Sequence, residues 1–199
     1  MRYKAGRTEV INPGMDSKEW EKAPEGKITY QRWKEFYQPI NTTFKLLRGP
    51  EGISVLMHTD EKNLLCERYE ENTDVCFDSC MEFFFKPNPW DPRYINFEFN
   101  PKGVMNSSVG DGRHGRVFNT EDRSIFSIES DAKDGDWTLK FYISDSFLIE
   151  KVGKIAPVCK GNFYKCGEET DHSHFITWCE VEVESPDYHV PDFFGFIEL

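Results

Sequence analysis

Two glutamates and a run of alternating amides carry the chemistry most worth placing in this chain. Glu82 lies inside the apolar run Val75-Cys76-Phe77-Asp78-Ser79-Cys80-Met81-Glu82-Phe83-Phe84-Phe85-Lys86. Its carboxyl must either reach water or enter a polar site on one face of a strand. Glu98 lies in Tyr94-Ile95-Asn96-Phe97-Glu98-Phe99-Asn100, where Ile95, Phe97 and Phe99 share one strand face and Asn96, Glu98 and Asn100 the other. Such a polar face is either open to solvent or the floor of a groove. As a floor it suits a polyhydroxylated ligand, because each hydroxyl both donates and accepts. Five Trp and eight Tyr could supply the flanking rings. Arg113, in a Gly-rich stretch, and Tyr164 are candidates for the rim. Two carboxylates on neighbouring strands could also serve glycoside hydrolysis, which makes a glycan-active enzyme using Glu82 and Glu98 an alternative.

Other soft or basic side chains cluster without matching a known pattern. Cys166, His172, His174 and Cys179 put four soft ligands within fourteen residues. Their spacing fits none of the paired-cysteine zinc patterns, so ordinary packing competes with a metal site. Met57-His58, Met81 and Met105 are candidate axial ligands for a haem-binding or other small-ligand sandwich, although nothing pairs them. There is no phosphate-binding loop, dinucleotide fingerprint, His-Glu-x-x-His or Gly-x-Ser-x-Gly elbow.

The elements that must position these groups read as strands. Thr43 to Leu47 and Ile53 to His58 predict a hairpin around the turn Arg48-Gly49-Pro50-Glu51-Gly52. Asp60 to Asp74 reads as an exposed acidic loop. Val75 to Lys86, Arg93 to Asn100, Ser124 to Ser130, Trp137 to Ile143, Cys159 to Cys166, His174 to Val183 and Asp192 to Leu199 follow as strands. Ser146 to Val152 predicts one short helix, capped by Ser144 or Asp145. Residues 1–40 hold turn chemistry and predict an irregular segment that Trp20 and Trp33 pin to the sandwich edge. Nine or ten strands with turns at this spacing imply a single all-β domain over residues 1–199, a two-sheet antiparallel β-sandwich; alternating helices, as in doubly wound α/β folds, are missing.

Composition narrows the partners. A formal charge of −11 disfavours nucleic acid and anionic membranes. No apolar run is long enough to span a bilayer. The basic start Met1 to Arg7 is followed by no apolar stretch, so a natural start at Met1 implies a cytoplasmic protein, and a trimmed one leaves room for an extracellular origin. In a cytoplasmic chain the six cysteines read as reduced thiols, with Cys76 and Cys80 packing as small hydrophobes.

From Trp137 onward the order of uncommon residues resembles the family 9 carbohydrate-binding modules and their gut-bacterial relatives. The likeness runs through Trp137-Thr138-Leu139-Lys140-Phe141-Tyr142-Ile143, Asn162-Phe163-Tyr164, Phe175-x-x-Trp178 and Tyr188-His189-Val190-Pro191-Asp192-Phe193-Phe194-Gly195. Upstream, Asp78-Ser79-Cys80-Met81-Glu82-Phe83-Phe84 and Tyr94-x-Asn96-Phe97-Glu98-x-Asn100-Pro101-x-Gly103 extend it to residues 40–199. The resemblance implies a jelly-roll sandwich that binds carbohydrate without catalysis, often beside a bacterial xylanase in polysaccharide catabolism and with a structural calcium. It also implies two clamping tryptophans. Trp178 matches one, as the stacking platform, with Glu82, Asn96 and Glu98 donating and accepting hydrogen bonds. The other is expected just before the Glu82 strand, where Thr73-Asp74-Val75-Cys76-Phe77 has none.

Overall fold

A computed structural model describes residues 1–199. It is a sandwich of two sheets, one of eight strands and one of six. The strands are β1 (Arg2–Lys4), β2 (Gly6–Arg7), β3 (Gly26–Ile28), β4 (Thr42–Arg48), β5 (Gly52–Thr59), β6 (Cys80–Lys86) and β7 (Tyr94–Phe99). After them come β8 (Met105–Gly110), β9 (Val117–Phe118), β10 (Glu129–Lys133), β11 (Asp136–Ser144), β12 (Val158–Gly167), β13 (His174–Thr177) and β14 (Gly195–Glu198). The single α-helix, α1, covers Asp145–Val152. The larger sheet runs β1-β14-β12-β6-β7-β8-β9, and the smaller runs β10-β11-β5-β4-β2. In each sheet one strand shares its outer edge between two partners. Along β12 these are β14 and then β13; along β4 they are β3 and then β2. Pairing is antiparallel except for β1 with β14 and β2 with β4. No helix is long and apolar enough to cross a membrane.

The core lies between the sheets and is built from alternating strand positions. Phe83 and Phe85 of β6, Ile95, Phe97 and Phe99 of β7, and Phe163 of β12 face Phe44 and Leu46 of β4, Val55 and Met57 of β5, and Leu139 and Phe141 of β11. Phe163 stacks on Phe44 at 3.7 Å and on Phe83 at 4.2 Å, so three rings bridge both sheets in one column. Gly26 is opposite Phe44, and any Cβ there would fall inside that ring. The missing side chain is what lets the aromatic lie over the strand edge.

The hairpin β4–β5, strands β7 and β11 and the helix stand where the sequence places them. Ser144 caps α1 through Oγ, which accepts from Phe147 N at 3.2 Å, and Gly153 ends it at φ 74°. Other expectations need correction. Residues 1–40 are not merely irregular: β1, β2 and β3 add strands to both sheets, and the count reaches fourteen. The strand expected from Val75 starts only at Cys80. Asp78 is fully buried, and its carboxylate accepts from the amides of Glu67 and Arg68 and from the side chains of Arg68 and Asn100, which draws the preceding residues into a 3-10 turn. Ser124 to Ser130 likewise opens as a 3-10 turn, because Asp122 caps it at Ser124 N and Ser127 takes φ 45°. The acidic loop after β5 is a mixture of exposed and half-buried residues, and Glu61 within it is buried.

Candidate functional site

Period-two alternation sends one face of β6, β7 and β12 into the core and the other outward. The outward face is also covered, by the segments around residues 74–77, 110–118 and 181–194. Cys80, Phe84, Tyr94, Tyr164, Cys166, Tyr188 and Phe194 form a second apolar cluster there. Between these loops and the sheet lies a cavity of about 380 Å³. Its floor carries Glu82, Phe84, Asn96 and Glu98, its β8 side Asn106 and Ser108, and its walls Arg113, Arg116, Phe118, Phe175, Asp187, Tyr188 and His189. The polar face read from the sequence is therefore a buried floor and not a solvated surface.

Glu82 and Glu98 are direct cross-strand partners, and both are buried. Glu98 accepts from Asn96 Nδ2 at 2.9 Å and Asn106 Nδ2 at 3.3 Å; Glu82 accepts only from the Cys166 thiol, at 2.9 Å. Burial is the main cause that raises both above the ordinary carboxylate range, Glu82 to about 7, and at Glu98 the neighbouring Glu82 adds repulsion. Burial favours the protonated carboxyl, which donates as well as accepts, so the floor can offer both kinds of hydrogen bond.

Asn96 is a positioning residue. Its Oδ1 accepts from Ser108 N at 3.1 Å, Ser108 Oγ at 2.6 Å and Arg116 Nη2 at 2.7 Å, while its Nδ2 holds Glu98. Arg116 is committed in the same way. It donates to Ser108 and to the Gly112 carbonyl, and its guanidinium lies 4.3 Å over the Tyr94 ring. Asn106 Oδ1, by contrast, is buried without a protein partner, an acceptor left open at the cavity. At the mouth, Arg113 pairs with Asp187 at 3.3 Å and stays half exposed.

Two assigned residues lie elsewhere. Trp178 is 5 % exposed and packs between the sheets, edge-on to Phe44, Tyr3 and Phe163. An indole without an open face cannot stack on a ligand, so its assignment as platform is corrected. β13 ends at Thr177, and Asn162 takes both the N–H and the carbonyl of Cys179, which turns the chain so that Trp178 points inward. Tyr164 is fully buried beneath the cavity, stacked on Tyr188 at 4.0 Å with its hydroxyl donating to the Tyr188 carbonyl. It supports a wall and is not on the rim. The rings that do line the cavity are Phe84, Phe118, Phe175 and Tyr188, with His189. Cys76 lines it on the side where the second tryptophan was sought. Sequence reasoning missed Asn106, Asp187, Tyr188 and His189 as site residues, although Tyr188-His189 stood among the residues that carry the family likeness.

The proposed ligand groupings also separate. Cys179 faces the inter-sheet core and Cys166 the outer face, while His174 Nε2 is taken by the Lys165 ammonium at 2.9 Å. Met57, Met81 and Met105 all pack in the inter-sheet core, whereas His58 points outward to Thr138, so the histidine lies on the opposite face from the methionines. Cys80, Glu82 and Cys166 do meet, with one ligand atom from each within 4.8 Å of the others. Two sulfurs in that set do not fit calcium, which takes six to eight oxygens.

His189 gives the site a pH signature. Burial first, then Arg116 and Arg113, lower its pKa from 6.5 to about 3, so the folded protein holds it neutral against Tyr94 Oη at 2.7 Å. The unfolded chain binds the extra proton below its ordinary value, so stability from this group is complete above pH 6.5 and is lost as the pH falls toward 3. His189→Gln is expected to flatten the acid limb by up to about 1.4 kcal/mol per pH unit, read from denaturant midpoints of both proteins between about pH 7 and pH 4. Parallel curves would place the proton uptake elsewhere.

Residues 15–199 match the model of carbohydrate-binding family 9. A protein of Bacteroides uniformis ATCC 8492, described as a candidate carbohydrate-binding protein, superposes with a TM-score of 0.87 at 24 % identity over 100 % of this chain and 97 % of its own. A family 9 carbohydrate-binding module of Caldicellulosiruptor kristjanssonii in complex with glucose superposes with a TM-score of 0.69 at 12 % identity, over 100 % of this chain and 95 % of that one. A structure of a family 9 module from the same organism in complex with cellotriose gives 0.68 at 12 % identity, over 100 % and 93 %. No curated protein matches the chain.

Proposed function

Because the chain belongs to carbohydrate-binding family 9 and so binds carbohydrate, we propose that the cavity on the outer face of the larger sheet is its sugar site. The observation that carries this assignment is the combination of Glu82, Glu98 and the unpaired Asn106 Oδ1 with the rings of Phe118, Phe175 and Tyr188 around one concave space. A cavity of about 380 Å³ suits one pyranose or the end of a short chain, at the lower limit of small-ligand sites. Glucose and cellotriose, the ligands held by the related Caldicellulosiruptor modules, are of this kind. Xylose oligomers fit the same chemistry and are the second series to test.

Absence of catalysis belongs to the same proposal. Family 9 is a family of carbohydrate-binding modules, and that assignment supports binding without catalysis.

Calorimetric titration with glucose, cellobiose, cellotriose and xylotriose, with calcium and after chelation, tests the reading. Asn106→Ala is expected to weaken binding about tenfold, the value of one or two buried hydrogen bonds, while the melting temperature stays near that of the parent. No heat and no thermal shift with any sugar at millimolar concentration would remove the cavity as a sugar site.

A further inference from the structure

Beneath the cavity floor, two thiols and a carboxyl share a corner of the sheet. Cys80 and Cys166 are direct partners across β6 and β12, and Glu82 is two residues along β6 on the same face. Positions i and i+2 on one strand, with the cross-strand partner of the first, project three side chains to one point. Their ligand atoms lie within 4.8 Å of one another, and all three residues are buried. Ligand bonds of about 2.3 Å to sulfur and about 2.0–2.2 Å to oxygen place tetrahedral ligands roughly 3.5–3.8 Å apart, inside that spread.

The surroundings favour a cation independently of this geometry. Glu98 faces Glu82 across the ladder, and Glu168 stands at the cavity edge. Cys76, whose carbonyl is 3.9 Å from Cys166 Sγ, lines the cavity. No positive side chain forms an ion pair or a hydrogen bond with Glu82 or Glu98. Lys165 points to the opposite face and pairs with Glu61, Arg116 is held by Asn96 and Ser108, and Arg113 is at the rim with Asp187. A buried acidic cluster without a counter-ion is costly to ionise, and a divalent ion removes that cost.

We propose that Cys80, Cys166 and Glu82 form a binding site for a soft divalent cation of the zinc type, entered from the cavity, with the fourth position left to water or to the adjacent Cys76. On binding, the two S–H protons and the carboxyl proton leave to solvent, and two sulfur–metal bonds and one oxygen–metal bond form; no electron is transferred. The site lies under the proposed sugar cavity, and its occupancy is measured without sugar, so failure of one assignment is distinguishable from failure of the other.

The test is a titration of the whole reduced, chelator-stripped protein with Co²⁺, followed by Zn²⁺. One equivalent of Co²⁺ is expected to give thiolate-to-cobalt charge-transfer absorption and tetrahedral d–d bands, which Zn²⁺ abolishes. Cys80→Val and Cys166→Val, each with buried apolar replacements, are expected to lose the charge-transfer band and at least tenfold in affinity, and Cys66→Ala to keep both. Absence of thiolate bands from folded wild-type protein at millimolar Co²⁺ would overturn the proposal, as would bands that persist in the folded Cys80→Val/Cys166→Val double variant.

Discussion

Lys165→Met is expected to lower stability by about 3–5 kcal/mol, because it removes one member of a buried ion pair and strands the other. Lys165 is fully buried at the end of the sandwich core. Its ammonium donates to the Cys166 carbonyl at 2.7 Å and to His174 Nε2 at 2.9 Å, and it forms an ion pair with Glu61 Oε2 at 2.7 Å. Glu61 in turn accepts from Ser79 Oγ at 3.0 Å. His174 is held neutral, its pKa lowered to about 3 by burial and by the ammonium, and so it presents a lone pair at Nε2 to the lysine. With a methionine in place of the lysine, the Glu61 carboxylate has no cation and must take up a proton or draw in water. The paired variant Lys165→Met/Glu61→Leu is expected to recover most of the loss, since a pair of apolar residues leaves no charge uncompensated. Equilibrium denaturation of the three variants closes the cycle. Additive losses, with the double variant the least stable, would contradict the account.

Trp178→Ala is expected to cost about 3–5 kcal/mol of stability by opening a cavity between the sheets, and to leave sugar affinity at the parent value in protein that stays folded. Trp178→Phe fills most of the space and is expected to cost less. The indole closes the core beside Tyr3, Phe44 and Phe163, and the backbone of Gly195 lies against its ring. Denaturant midpoints read the first effect and calorimetric titration at low temperature the second. A variant of unchanged stability that no longer binds sugar would restore the tryptophan to the ligand site.

Both expectations concern residues whose roles depend on distant partners, and this marks where sequence reading stopped. The β4–β5 hairpin, the two faces of β7 and the capped helix were legible because a turn, a two-residue period and an N-cap are all local. Asn96, Glu98 and Asn100 were legible as one polar face for the same reason; Asn96 and Glu98 lie at the cavity floor beside Glu82, whereas Asn100 is bonded to Asp78. Lys165 was not legible as a core residue: its alternation with Tyr164 and Cys166 assigns it the inner face, but only Glu61, far away in the chain, makes that placement tolerable. Trp178 was misassigned because the direction of the chain after β13 is set by the Asn162 side chain on a neighbouring strand, not by spacing within Phe175-x-x-Trp178. Asp187, Tyr188 and His189 reach the site from a loop, where no periodicity marks them.

The first and last strands run side by side in the same direction. β1 pairs with β14 in parallel register from Arg2 opposite Phe196 to Lys4 opposite Glu198, and Phe196 N–Met1 O and Ala5 N–Glu198 O extend the ladder at both ends. A pull on Met1 and an opposite pull on Leu199 therefore drag the two strands past each other along their length. The bridging bonds then carry the load together, whereas a hairpin pulled at its open end surrenders them one after another. Traction between the two ends meets this shear clamp before it reaches Asp187, Tyr188 and His189, the cavity wall that leads into β14.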